Sequence, residues 1–396
     1  MNIWYRIFVT DTKSDEMKQN QILPGPVLLF GSGETSPSGR KLFEYVLRDL
    51  PPGPRMALLE TPAGFELNSS QVIGRVGEFL RLRLQNYQPQ IEIIPARARG
   101  TFFSPDNPEI LNPMLEADLI FMGPGSPSYA VRQLEASLAW QMLLARHRLG
   151  ATLALASAAT IAISTFALPV YEIYKVGEDL HWKPGLNFFG LYGLPLVFVP
   201  HWNNNDGGAE LDTSRCFMGQ ARFEKLMKML PPDLTVIGLD EKTGLIMDIH
   251  KGQAHVIGIG GVTLIHTGHA HTSIPSRPEL QDVEAIALER EGHVHHYKNG
   301  QTFPLSECCP FTIPELEMGV DSAIWEQALE TYNRVANESQ KVIRVQPPEK
   351  VMRLVNERQA ARLSKEWAEA DRLRLQIADL GWQVNDSPDG PVVVKI

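Results

Sequence analysis

The sequence predicts an α/β protein: a doubly wound, mostly parallel sheet, followed by a small C-terminal unit of a helical hairpin and a β-hairpin. Three observations carry this. Short apolar runs alternate with amphipathic segments through the first 240 residues. That is the pattern of strands buried on both faces and joined by crossover helices. Gly/Ser turns follow several of these runs, where a strand hands over to a helix. Finally, the paired prolines in RVQPPE (344–349) block both helix and ladder, and they set off a 48-residue tail with its own helical periodicity.

The elements run in order. PVLLF (26–30) is a strand, GSGETSPSG a turn, and RKLFEYVLRDL a helix. MALLET (56–61) is the next strand, followed by a helix around Val72 to Gln85. IEIIPA (91–96), ADLIFMG (117–123) and ATLALA (151–156) continue the series. VFVP (197–200), LTVIGLD (234–240), GLIMDIH (244–250) and AHVIGIGGVTLIHTG (254–268) have shorter connections. They read as antiparallel additions to the same sheet, or as a hairpin beside it. HVHHY (293–297), the turn Lys298-Asn299-Gly300 and QTFPL (301–305) read as a hairpin. Asp321 to Gln340 reads as a helix. In the tail, Val351, Leu354, Val355 and Arg358 share one helical face. Trp367, Ala370, Leu373, Ile377 and Leu380 mark a second helix that stops at Gly381. WQVN, the turn Ser387-Pro388-Asp389-Gly390, and PVVVKI close as a hairpin. The expected division is an extension at 1–23, an α/β domain at 24–315, a helix and linker at 316–348, and the tail domain at 349–396.

Composition bounds the function. The chain has 396 residues, enough for a sizeable core, with 43% apolar and 21% charged residues. A net charge of -9 argues against a general nucleic-acid binder. The longest apolar stretch, Ala151 to Ile163, is broken by Ser157 and Thr160, so no membrane span is expected. The N-terminal apolar region is too short for a signal peptide, and Met17 offers an alternative start. Cys216, Cys308 and Cys309 are too few and irregular for a disulfide framework. Reduced thiols and a cytoplasmic location are expected.

Three polar residues stand just after apolar runs: Ser157 after GATLALA, His201 after LPLVFVP and Glu241 after LTVIGLD. α/β enzymes place their chemistry at strand ends. A serine needs a base to become a nucleophile, an imidazole serves near neutral pH, and a carboxylate on its far nitrogen fixes the tautomer. The N–H of Ala158, beside Ser157, and that of Gly125, in the loop GPGSPSY (123–129), are candidate oxyanion donors. Ser126, Asn203 and Asn204 are candidate substrate contacts.

The series GPGSPSYAVRQL (123–134), ASAAT (156–160), VPHWNNND (199–206) and LTVIGLDEKTGLIM (234–247) resembles the serine peptidases that include aspartyl dipeptidase and cyanophycinase. Their fold is akin to class I glutamine amidotransferases. The resemblance covers roughly residues 24 to 270. It implies Ser157 as nucleophile, His201 as base, Glu241 as orienting acid, and Gly125 and Ala158 as the oxyanion hole. It implies hydrolysis of a peptide or isopeptide bond, with no cofactor and no metal. One departure stands out. The family has glycines two residues before and after the serine, where this chain has Leu155 and Ala159. Small residues are usual at such a strained turn. A second reading therefore stays open: a degenerate, non-catalytic relative that binds a ligand.

The tail is similar to the C-terminal domain of cysteinyl-tRNA synthetase through ERQAAR (357–362), Ala370-Asp371-x-Leu373-Arg374, Leu380-Gly381 and Asp386-Ser-Pro-Asp-Gly390. That resemblance implies an RNA partner at the anticodon region, through Arg358, Arg362, Lys365 and Arg372. A protein partner is the alternative. Eight basic and eight acidic residues in 349–396 leave no cationic surplus. No ATP-binding motif of a synthetase is present, so aminoacylation is not expected. The pairs His269/His271 and His293/His295 alternate as same-face strand residues do, but nothing completes a metal site around them. GSGETSPSGR (31–40) lacks the glycine spacing of a phosphate loop, although Glu34 or Arg40 would border the site.

Overall fold

The computed structural model describes residues 22–267, 294–343, 347–387 and 390–395. Most of the expected N-terminal extension, His269, His271 and His293, linker residues 344–346, and Pro388 and Asp389 lie outside the described residues. The chain divides into two compact units, one at Ile22–Leu329 and one drawn from Glu330 onward.

In the first unit, β1 (Val27–Phe30), β2 (Arg55–Leu59), β3 (Gln90–Ile94), β4 (Leu119–Met122) and β5 (Thr152–Ala156) are mutually parallel in the order β1-β5-β4-β2-β3. The helices between them are α1 (Pro37–Leu47), α2 (Ser69–Arg83), the short α3 (Pro108–Leu111), α4 (Pro127–Leu134) and α5 (Leu138–Arg148). α6 (Ala158–Ala162) follows β5 directly. β1, β4 and β5 are buried at every position, which explains their unbroken apolar runs. Period-two alternation turns Leu28, Phe30, Leu58, Phe121, Ala154 and Ala156 toward Leu42, Phe43 and Val46 of α1 and Ile73, Val76 and Leu80 of α2. Each such Leu or Phe removed from water contributes about 1.5–3 kcal/mol. Ser36 starts α1, its hydroxyl accepting the Gly39 N–H at 3.2 Å ahead of Pro37.

The later strands depart from the expectation. After a two-residue pair, β6 (Phe166–Ala167) with β7 (Lys183–Pro184), the chain forms β8 (Leu196–Val199), α7 (Gln220–Met227) and β9 (Thr235–Leu239). β8 and β9 are parallel to each other and belong to a second sheet. β10 (Thr243–Asp248) adds antiparallel to β1 in the first sheet, and β11 (Gln253–Gly258) antiparallel to β10, as expected. β12 (Gly261–His266) and β13 (Val294–Lys298) extend the second sheet, and β14 (Thr302–Pro304) returns to the first, beside β11. The expected hairpin of β13 with β14 therefore does not form. The turn at Asn299–Gly300 is there, with Gly300 at φ +83°, but it docks on β11. Gly300 N–H donates to Val256 O, and Val256 N–H to Gln301 O. Residues 240–242 likewise carry the chain from β9 in one sheet to β10 in the other.

The second unit contains most of α8 (Ser322–Ile343), then α9 (Glu349–Leu363), α10 (Trp367–Asp379), and a hairpin of β15 (Trp382–Ser387) with β16 (Gly390–Lys395). Val351, Val355, Ile377, Trp382 and Val384 form its core. Trp367 and Leu380, two of the residues that mark α10 in the sequence, are exposed. Gly381 ends α10 at φ +77°.

Candidate functional site

Ser157 lies between the last residue of β5 and the first of α6, at φ +52° and ψ -110°. A non-glycine residue here costs on the order of 1–3 kcal/mol and persists only where the surroundings over-determine it. They do so here. Ile161 N–H donates to Ser157 O at 3.1 Å, and the buried Thr160 hydroxyl donates to Leu155 O at 2.8 Å. Leu155 is wholly buried at the register of Leu29 and Met122, inside the sheet layer. Ala159 is wholly buried in α6. Ser157 itself stays half-buried.

His201 follows β8, also at positive φ (+52°). Its N–H donates to Gly31 O at 2.9 Å, and its carbonyl accepts N–H groups from Asn204 and Cys216. Glu241 sits in the crossing between sheets. The structure brings the three side chains into one row. Ser157 Oγ is 3.1 Å from His201 Nε2, and His201 Nδ1 is 3.1 Å from Glu241 Oε1. A carboxylate only accepts, so Nδ1 carries the proton and Nε2 is left as an acceptor facing the hydroxyl. The His201 hydrogen bond, joined by Asn204 and Lys242, outweighs burial and holds the Glu241 carboxyl below its usual range. Cys216 is near this row but wholly buried, and burial, followed by the Glu241 charge, pushes its thiol up to about 12. It is not a thiolate nucleophile.

Gly125 precedes α4 at φ +149°, and a β-carbon there would fall 1.9 Å from Pro62 O. Only glycine fits this approach. The helix it leads into packs against α6, which begins at Ala158. Ser126, expected to face a substrate, is buried and occupied: its N–H donates to Pro62 O, and its hydroxyl accepts the Tyr129 N–H as the cap of α4. Asn204 is buried and Asn203 exposed, and both bond to Glu241. Asn203 Oδ1 accepts the Glu241 N–H at 2.8 Å, and Asn204 Nδ2 donates to Glu241 Oε1 at 2.9 Å.

Sequence reasoning missed one neighbour altogether. Arg215, Cys216 and Phe217 are three consecutive residues at positive φ, and they bring the Phe217 ring to 5.9 Å from that of His201 and 5.3 Å from that of Tyr174. None of these residue types favours that conformation, so the sequence carries no local signal for it. The loop 31–40 serves as a tie. Gly31 N–H donates to Thr243 O, and Ser32 Oγ accepts the Lys242 N–H. Arg40 pairs with Glu44 along its own helix. Among the described residues, no group of three or more His, Cys, Asp or Glu is placed to hold a metal.

In the second unit, Arg358 is buried and makes a two-pronged pair with Asp386, at 2.8 and 2.9 Å. Arg362 joins the same carboxylate at 3.0 Å, and Arg372 pairs with Glu369. Arg358 therefore belongs to the interior of this unit.

Comparison with known proteins divides along the chain. A crystal structure of a peptidase from an acI-B1 actinobacterium aligns with a TM-score of 0.51 at 20% identity, over 72% of this chain and 98% of that one. At that identity the likeness is one of fold. Residues 346–391 match the cysteinyl-tRNA ligase anticodon binding domain. The chain is also similar to cysteine–tRNA ligases, 49% identical over 49 residues in Chlamydia felis and 50% over 48 in Methanosarcina acetivorans. Each spans 12% of this chain and 10% of the ligase, so the chain covers about a tenth of these relatives. The chain thus combines a peptidase-like α/β fold with a short C-terminal segment similar to a tRNA-ligase anticodon-binding domain.

Proposed function

We propose that the protein is a serine-type hydrolase that cleaves a peptide or isopeptide bond through an acyl-enzyme on Ser157. The observation that carries this is the hydrogen-bonded row Ser157–His201–Glu241, with the serine on a strained turn at a strand end. Ser157 Oγ attacks the carbonyl carbon while His201 Nε2 takes its proton. The developing oxyanion is met by the N–H groups of Ala158 and Gly125. Breakdown expels the amine, which takes the proton from His201. Water, activated by the same imidazole, then releases the acid. Leu155, buried in the sheet, leaves Ser157 and His201 half-buried and accessible, which favours catalysis over the non-catalytic reading. Treatment with a fluorophosphonate, with the adduct located by mass spectrometry, tests this. Labelling at Ser157 that is lost in His201→Ala is expected. A folded protein that takes no label would sink the proposal.

A second reading concerns the tail. The match over residues 346–391 favours tRNA docking by the second unit. With Arg358 interior, the groove beside Arg374, Leu375, Trp382 and Gln383 is the surface to test. Binding of tRNA to the full chain, weakening as salt rises and reduced in Arg374→Glu, is expected. Absence of salt-sensitive binding removes this reading.

A further inference from the structure

Glu241 is reached by two consecutive residues of the loop that carries the base. Asn203 Oδ1 accepts the Glu241 backbone N–H, and Asn204 Nδ2 donates to Oε1, the same oxygen that accepts His201 Nδ1. Asn204 is 3% exposed. Its orientation follows from its other bonds. Oδ1 accepts the Asp206 N–H at 3.2 Å, so the amide nitrogen is the end that faces Glu241. Its own N–H donates to His201 O, and its carbonyl accepts the buried Thr213 hydroxyl. Asn204 is thus fastened at four points, and one of them is the carboxylate of the row.

We infer that Asn204 is a positioning residue, the fourth member of the row, fixing the Glu241 carboxylate so that its Oε1 meets His201 Nδ1. This deepens the hydrolase reading and rests on it. A glutamate has three side-chain torsions and swings freely unless a second donor holds it. Without that hold, the imidazole loses its fixed tautomer and orientation, as well as the charge that supports its cationic form in the transition state. Asn204 touches neither Ser157 nor the attacked carbonyl in this scheme and acts only through Glu241. The ionisable groups around Glu241 are His201, Lys242, Asp240 and the buried Cys216, so Asn204 is its principal neutral donor side chain.

The test is the rate of fluorophosphonate labelling at Ser157 against pH in wild type, Asn204→Ala and the nearly isosteric Asn204→Asp. Circular dichroism and the thermal midpoint check folding. In Asn204→Ala the labelling rate is expected to fall about tenfold to a hundredfold, the worth of one charge-assisted hydrogen bond. The acid-side limb of the rate should also shift, because Glu241 loses a donor that favours its ionised form. Asn204→Asp places a second carboxylate beside the first and should move that limb further still. If Ala does not fold, the Asp variant alone decides. Folded variants with the wild-type rate and profile overturn the inference while leaving the hydrolase reading intact. An unlabelled wild type defeats the hydrolase reading itself and this inference with it. A purely structural role would lower the thermal midpoint and leave the pH profile unmoved.

Discussion

Hydrogen bonds into Glu241 govern how the site responds to acid. Its carboxyl is held below the ordinary range first by His201 and then by Asn204. A depressed folded value means that its stabilising contribution is fully present above the unfolded value of about 4.3 and is lost as pH falls through the lower folded value. Glu241→Gln removes the charge and presents an amide that can offer a donor where His201 needs an acceptor. Labelling of Ser157 should fall on the order of a thousandfold or more, with the fold intact. The part of the acid-induced destabilisation that Glu241 carries should disappear from pH-dependent unfolding. A Gln variant that labels at the wild-type rate would remove Glu241 from the row. The three polar residues at strand ends were legible in the sequence because the chemistry of each side chain and its place after an apolar run can be read directly. What Asn203, Asn204 and Ser126 do was not. Their residue types suit a substrate contact as well as a backbone tie, and only the fold decides which partner is within reach.

At the scale of elements, the parallel core was readable because strands buried on both faces leave unbroken apolar runs. The later strands were not, because an apolar run says nothing of which sheet its strand joins. GLDEKTGL reads only as a short connection, yet it carries the chain between sheets. Helices α9 and α10 were legible from their periodicity. Trp367 fits that periodicity and is nevertheless exposed, with the Arg362 guanidinium 5.8 Å from its ring centre. Beside its small core, this unit carries the Arg358–Asp386 pair. Arg358 pins Asp386 in its charged form, below the usual carboxylate range. Asp386→Ala strands a buried guanidinium. Full burial of both partners would make that cost several kcal/mol, but Asp386 is itself 38% exposed, so about 1–3 kcal/mol is expected. Hydrogen exchange across residues 349–387 of the full chain should rise, with no change in β1 to β5. The pair's contribution is present above about pH 3.9 and fades as pH drops through the folded value. Unchanged exchange in this segment would show that the core alone sustains it.

For the whole molecule, the most consequential feature is where the row's members come from. Ser157 follows a strand of the first sheet, His201 follows a strand of the second, and Glu241 lies in the passage from one to the other. Gly31 and Ser32, at the end of β1, bond to His201, Thr243 and Lys242 and so lace the two sheets together beside the row. The proposed chemistry therefore spans a seam. Slippage of one sheet against the other by less than an ångström would leave every strand, every helix and the circular dichroism unchanged, yet separate the hydroxyl from its imidazole. Reactivity at Ser157 becomes a caliper for that seam: under mild denaturant it should vanish before either sheet melts, and any ligand that clamps the two sheets together should restore it.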